Sequence, residues 1–244
     1  MTGEKELKDL WQTVFGDDRA YINRWFRTFF RPELTAVRES EDALAAMAFV
    51  LPLGTLNGDP CASLYAVASA PDLRGKGLGK AVVADAVHLA ESAGFSHIIL
   101  RPANSGLFRF YKQLGFFPAF PVYETVIRLP QAASPAVLCA PDRYLEARRA
   151  VLDAAGSVCP SVSLLSFFSS AGGRLYAGDG FCAAVENEED RAVFVWIVML
   201  FTGHDVSCQR EASARTVSVS YSRLTLTRRM GRMVQDWRSP TVSS

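Results

Sequence analysis

The segment that most narrows what this chain can fold into is Arg74-Gly75-Lys76-Gly77-Leu78-Gly79-Lys80. Upstream of it, Cys61 to Ser69 reads as a strand. Downstream, Leu78, Val82, Ala86, Leu89 and Ala93 form an apolar stripe along a helix that Gly94 can end in a left-handed conformation. Glycines between a strand and a helix let backbone N–H groups close around an anion. The helix start adds unsatisfied donors and the positive end of its dipole. Arg74, Lys76 and Lys80 contribute cations. Two familiar phosphate loops are excluded by spacing. A Walker loop needs glycine at position 74 and Ser or Thr at 81, where this chain has Arg74 and Ala81. A dinucleotide fingerprint needs glycine at 80 or 82, where Lys80 and Val82 stand.

Periodicity organises the rest. Apolar residues at helical spacing predict helices over 7–15 and 18–29, punctuated by Gly16-Asp17-Asp18. Alternation then predicts strands at about 33–39, 43–54 and 61–69, separated by Ser40-Glu41-Asp42 and Asn57-Gly58-Asp59-Pro60, an antiparallel meander. After the glycine segment and its helix come a strand at His97–Leu100, a helix over 105–114 stopped by Gly115, and a last pair of strands over 116–128, kinked at Pro118 and Pro121. The expected fold class is α/β or α+β, a mixed, mostly antiparallel sheet flanked by helices. Pro130 to Pro135 reads as a linker, dividing the chain into residues 1–130 and 131–244.

Beyond it, helices over 142–155 and 161–170 and strands at 174–177, 181–186 and 191–200 repeat the order of residues 5–69. A second, smaller α+β region follows, either an incomplete copy of the first half or a common arrangement of the same elements. It has no glycine loop after its third strand, so one anion-binding loop is expected in the chain. The tail from about 202 to 244 loses clear periodicity and reads as poorly packed, although Thr216 to Tyr221 alternates like a strand.

Charge and cysteine usage bound the partners. Lys plus Arg number 26 against 25 Asp plus Glu, a net charge of +1, so no global field draws nucleic acid or an anionic membrane. The five cysteines are scattered and never in a Cys-x-x-Cys pair, which argues against a disulfide framework and against a metal site, and fits a reducing cytoplasm. Apolar runs at 43–56 and 192–201 fall short of the roughly 20 residues a bilayer requires, and the N-terminus lacks the apolar core of a signal peptide. A soluble protein without membrane or nucleic-acid partners is expected.

The glycine segment fits Arg/Gln-x-x-Gly-x-Gly/Ala. Thirty residues on, Asn104-Ser105-Gly106-Leu107-Phe108-Arg109-Phe110-Tyr111-Lys112-Gln113-Leu114-Gly115-Phe116 fits Asn-x-x-Ala-x-x-x-Tyr-x-x-x-Gly-Phe, with Leu107 in place of the usual small residue. With both motifs in order, the chain resembles the GNAT superfamily of acetyl-CoA-dependent N-acyltransferases over most of residues 5–130. The resemblance implies that Val67, Ala68 and Ser69 pair through their backbone with the pantetheine arm of acetyl-CoA. It implies that Arg74, Gly75, Lys76, Gly77, Leu78, Gly79 and Lys80 hold the pyrophosphate, and that Asn104 bonds the cofactor near the thioester. Tyr111 would stand near the sulfur as general acid for the departing thiolate. Against these roles stand blander ones: Asn104 as a helix N-cap, Tyr111 as a packed aromatic.

An amine acceptor is implied, of unspecified identity. The aromatic cluster Tyr21, Trp25, Phe26, Phe29 and Phe30 either borders its site or belongs mostly to the core. No carboxylate lies between Cys61 and Ser69, where some members of the superfamily carry one. Glu124, His97, Asp59 or a water chain are left as candidates for the base. Oligomeric state is open. The alternative to an N-acetyltransferase is a non-catalytic acyl-CoA-binding or interaction module.

Overall fold

The computed structural model of the chain describes residues 2–120, 125–128, 137–151, 158–178, 181–188, 191–199, 216–219 and 225–229. Helices α1 (Glu4–Phe15) and α2 (Arg19–Phe29) open it. Glu6 reaches back over the start of α1, its carboxylate accepting from Gly3 N at 2.7 Å, and Gly16 ends the helix at φ 74°. Asp18 then caps α2, accepting from Ala20 N. The predicted meander follows as β1 (Thr35–Ser40), β2 (Ala43–Leu56) and β3 (Asp59–Ser69). Next come α3 (Leu78–Ser92), β4 (His97–Leu100), α4 (Ser105–Gln113) and β5 (Phe117–Phe120).

Two apolar layers pack on this sheet. Val82, Val83, Ala86, Val87 and Ala90 of α3 join Tyr111 of α4 and Phe116 on one face. Leu7, Leu10 and Trp11 of α1 with Ile22, Trp25, Phe26 and Phe29 of α2 cover Met47, Phe49 and Leu51 on the other. The predicted aromatic cluster is therefore mainly core, with Tyr21 and Phe30 only partly buried. In a side-chain layer this dense, burying a large apolar residue contributes on the order of 1.5–3 kcal/mol.

The second half begins with β6 (Thr125–Arg128), β7 (Val137–Leu138) and α5 (Pro141–Val151), then β8 (Val158–Pro160) and α6 (Val162–Ser170). It continues as β9 (Arg174–Gly178), β10 (Phe181–Glu188), β11 (Arg191–Met199), β12 (Thr216–Val219) and β13 (Thr225–Arg229). Sheet one runs β1-β2-β3-β4-β13-β5, with β8 added to β2; sheet two runs β6-β12-β11-β10-β9-β7. Pairing sense repeats between them. Both have two antiparallel pairings, a parallel one (β3 with β4, β11 with β12) and an antiparallel one (β4 with β13, β12 with β6). This repetition of sheet order goes beyond the repetition of element order.

Two expectations change here. The strands over 116–128 are not neighbours: β5 closes sheet one while β6 lies in sheet two against β12. The place beside β4 is filled from the far end of the chain by β13, which pairs with β4 on one side and β5 on the other. The segment read as an irregular tail thus contributes a strand to each sheet. Strand pairing is a tertiary choice, and a run as short and polar as Thr225-Leu226-Thr227-Arg228-Arg229 carries little local signal of it. The stretch after the third strand of the second half, where no glycine loop is expected, and the remainder of the tail lie outside the described residues.

Candidate functional site

The site is built on a divergence of two parallel strands. β3 and β4 pair only at Cys61 with His97, Ala62 with Ile98 and Ser63 with Ile99. From Leu64 to Ser69 no described strand lies beside β3 on that side, while β2 continues to pair it on the other. At the usual rise this leaves roughly 17 Å of strand edge open. The cause is local: the β2–β3 register shifts so that Ala48 faces two residues, Ala66 and Val67, and Ala66 takes φ 45°. Such a bulge bends the strand and strengthens its twist, turning β3 away from β4.

Of the residues predicted along this edge, Ala68 is buried on the α1–α2 face, and Val67 packs toward α3. Ser69 ends the strand beside the glycine loop. A Cβ built on Gly79 would lie 3.5 Å from Ser69 Oγ and 3.8 Å from the Phe110 ring, so the end of β3, the first turn of α3 and α4 converge at one place.

Gly75 and Gly77 adopt φ 81° and 80°, left-handed values that other residues resist, and open space surrounds both. Gly77 caps α3, and its carbonyl accepts from Ala81 N at 3.1 Å. The amides of Leu78, Gly79 and Lys80 come before that first helical bond and have no carbonyl behind them in the helix. Arg74, Lys76 and Lys80 are exposed around them. Open amides, a helix start and three cations are a fitting cradle for a diphosphate.

Asn104 is the N-cap of α4. Its Oδ1 accepts from Leu107 N at 2.9 Å, and Gly106 leaves room for it. The cap uses only the carbonyl end of the amide. Leu107 itself is exposed in the first turn of the same helix. Tyr111 lies one turn further on and is 7% exposed, packed against Phe110 and Phe116 at 5.1 and 5.8 Å between ring centres. Burial pushes its phenol up to about 12.

The suggested bases are not brought to this place. His97 begins β4 opposite Cys61, and Asp59 begins β3, both at the closed end of the strand pair. Glu124 lies outside the described residues. What sequence reasoning passed over is Tyr65, the residue just before the bulge. Its hydroxyl is 2.9 Å from that of Tyr21, and its ring stacks on Trp25 at 5.4 Å. Tyr21 stood out as part of the aromatic cluster, but no sequence signal marks its partner or the bulge.

A divided strand pair thus stands above a glycine-rich helix start and is closed by a tyrosine-bearing helix. Residues 4–116 match the model of the acetyltransferase (GNAT) family. The protein is accordingly an acyltransferase that draws on an acyl-CoA. Its fold is similar to that of a GCN5-related N-acetyltransferase from Kribbella flavida, with a TM-score of 0.70 at 16% identity over 93% of this chain and 70% of that one. A tandem GNAT protein from the clavulanic acid biosynthesis pathway aligns over 94% of this chain and 95% of its own, with a TM-score of 0.55 at 15% identity. That likeness spans both halves. A comparison with curated proteins gave no match. Among the described residues no helix is long and apolar enough to cross a membrane.

Proposed function

We propose that the protein is an N-acetyltransferase that moves the acetyl group of acetyl-CoA to a primary amine by direct attack. The observation that carries this reading is the open edge of β3 ending over the glycine-rich start of α3. Strand-edge N–H and C=O groups of Val67, Ala68 and Ser69 suit the amides of the pantetheine arm, as an added strand would be held. The amides from Gly75 through Gly77 and Leu78 to Lys80, with Arg74, Lys76 and Lys80, suit the diphosphate. Asn104, capping through its oxygen, keeps two N–H donors for the cofactor near the thioester.

Tyr111 acts on the leaving group. As the amine nitrogen bonds to the thioester carbon, the C–S bond breaks and its electron pair goes to sulfur. A phenol held up to about 12 stays protonated at neutral pH and donates to that sulfur. An ordinary thiol titrates at about 8.5, below this phenol, so donation to sulfur runs together with loss of the attacking amine's proton, which restores the phenol and leaves amide, CoA thiol and neutral tyrosine. General-acid help of this kind supplies about 10²- to 10⁴-fold. Holding amine and thioester in contact supplies much of the remainder. The free thiols of Cys61, Cys139, Cys159 and Cys182 suit the cytoplasm as the place of action.

A non-catalytic acyl-CoA-binding role is favoured by one feature, the lack of a carboxylate on β3 from Cys61 to Ser69. Calorimetric titration with acetyl-CoA tests the binding that both readings share. Thiol release across a panel of primary amines separates them: binding without release at any amine would leave the binding role, and absent binding would end both.

A further inference from the structure

The hydroxyl pair of Tyr21 and Tyr65 has features that packing alone does not require. It lies within an apolar layer: Trp25 stacks on Tyr65, Trp11 lies 5.5 Å from it, and Phe167 of α6 meets Tyr21 at 5.8 Å. Phenylalanines would fill these places without the cost of burying two polar groups. Two hydroxyls bonded to each other use one hydrogen between them, so the second hydrogen and the remaining lone pairs are available to a ligand. The location is also specific. Tyr65 immediately precedes the bulge that opens β3, and Tyr21 stands where the second half of the molecule meets the first. There α6 brings Phe167, and Arg24 donates to the carbonyl of Ser170.

The charges facing the pair have a dominant sign. Burial holds both phenols protonated to higher pH than usual, Asp17, held by Trp11 Nε1 at 2.7 Å, pushes them further in the same direction, and Glu186 of β10 adds to the effect at Tyr21. Arg24 opposes them at Tyr21, with its guanidinium already engaged by Ser170. An ammonium group, which has donors and no acceptor, matches phenol oxygens under a net negative field. Aromatic walls match an apolar shank.

We propose that the Tyr21–Tyr65 pair is the end wall of the acceptor pocket, shared with Phe167 of the second half, and that it receives a cationic primary amine with an apolar shank. This rests on the acetyltransferase reading and names the substrate class of its second site. Tyr65 is a positioning residue here: it orients the amine before attack and takes no part in bond making.

The test uses the full chain saturated with CoA and titrated with 2-phenylethylamine and 1,4-diaminobutane, with 2-phenylethanol as the neutral counterpart, followed through the fluorescence of Trp11 and Trp25 beside Tyr65. At least one amine should bind ten-fold or more tightly than the alcohol, with affinity falling as salt is raised. Tyr65→Phe and Glu186→Gln should each weaken that binding about three- to ten-fold while the CoA titration and the melting temperature stay at parental values. Tyr21→Phe, tested the same way, guards against a folding defect peculiar to one variant. Equal binding of amine and alcohol, no binding of either amine to a chain that binds CoA normally, or unchanged affinity in both tyrosine variants would overturn the proposal. Loss of CoA binding in the parental chain would instead overturn the acetyltransferase reading on which it rests.

Discussion

Gly54 and Cys159 pass so closely that a Cβ at position 54 would stand 2.0 Å from the Cys159 carbonyl oxygen. This contact is where β8 joins β2, with Gly54 opposite Pro160 and Ser161 N donating to Leu53 O at 2.6 Å. Gly54 also holds φ 138°, a backbone region that other residues rarely enter. Gly54→Ala therefore meets both a steric and a conformational obstacle. The expected loss is about 2–4 kcal/mol, from strain and forced backbone movement together. Urea unfolding checks it, and a midpoint equal to the parent's would show that the two strands separate at no cost.

Asn104 offers a way to divide capping from cofactor contact. Asn104→Asp keeps an oxygen for Leu107 N, whereas Asn104→Ala removes it. The alanine variant should lose about 1 kcal/mol of stability and the aspartate variant much less. If the amide N–H groups contact the acyl-CoA, both variants should bind acetyl-CoA more weakly, the aspartate one despite its intact cap. Calorimetry on the pair, beside thermal melts, gives the two answers separately.

Tyr111→Phe preserves the ring packed on Phe110 and Phe116 and removes only the hydroxyl. With an acceptor in hand, kcat should fall on the order of 10²-fold or more while the acetyl-CoA Kd is unchanged. Because the phenol is pushed up to about 12, the parental rate should show no loss from its ionisation below about pH 11. An undiminished kcat would remove Tyr111 from the chemistry and leave it as core.

Alkaline pH should weaken the fold. Burial carries Cys61 from 9.0 to about 12 and Tyr111 from 10.0 to about 12, and it raises Tyr65 and Tyr144 as well. Between the unfolded and folded values the native chain holds protons that the unfolded chain has released. Stability is thus level below about pH 9 and declines as pH rises toward 12, by at most about 1.4 kcal/mol per pH unit for each group. Cys61→Ala should delay the onset. Urea midpoints at pH 8, 9.5 and 10.5 measure it, and a flat series would contradict the assignment.

The glycine loop makes two distinct demands. At Gly77, φ 80° with open space predicts that alanine costs about 1 kcal/mol through backbone strain alone. Gly79 has an ordinary φ, and its Cβ would meet Ser69 and Phe110 at normal contact distance, so alanine there should fold almost unchanged. Binding reverses the order if the amides hold a diphosphate, since a methyl group at 79 would obstruct close approach. Melting curves and acetyl-CoA titrations of both variants decide this.

Much of this architecture was readable because it is encoded locally. The helix ends follow Gly16, Asp18 and Gly94, and the meander follows its turns, to within a few residues. The shape of the glycine loop was legible for the same reason: Gly75 and Gly77 are needed for their own backbone angles. Ala66 was not, because nothing about an alanine between Tyr65 and Val67 announces a bulge. Tyr65 and Tyr21 meet across two elements that periodicity places only on one face. The exchange of β6 and β13 lay furthest from view, since two short strands of similar character can be assigned to their sheets only by the assembled fold.

That exchange sets a timetable for synthesis. As the chain leaves the ribosome, β4 and β5 emerge first, yet the strand that belongs between them is made only after all of β6 to β12. Until then β4 carries an unpaired edge, the kind of surface on which nascent chains associate with one another. Closing so long a loop is also slow relative to local pairing. A message truncated before codon 225 would therefore release a first sheet that lacks its neighbour for β4, even though residues 4–116 had been translated in full.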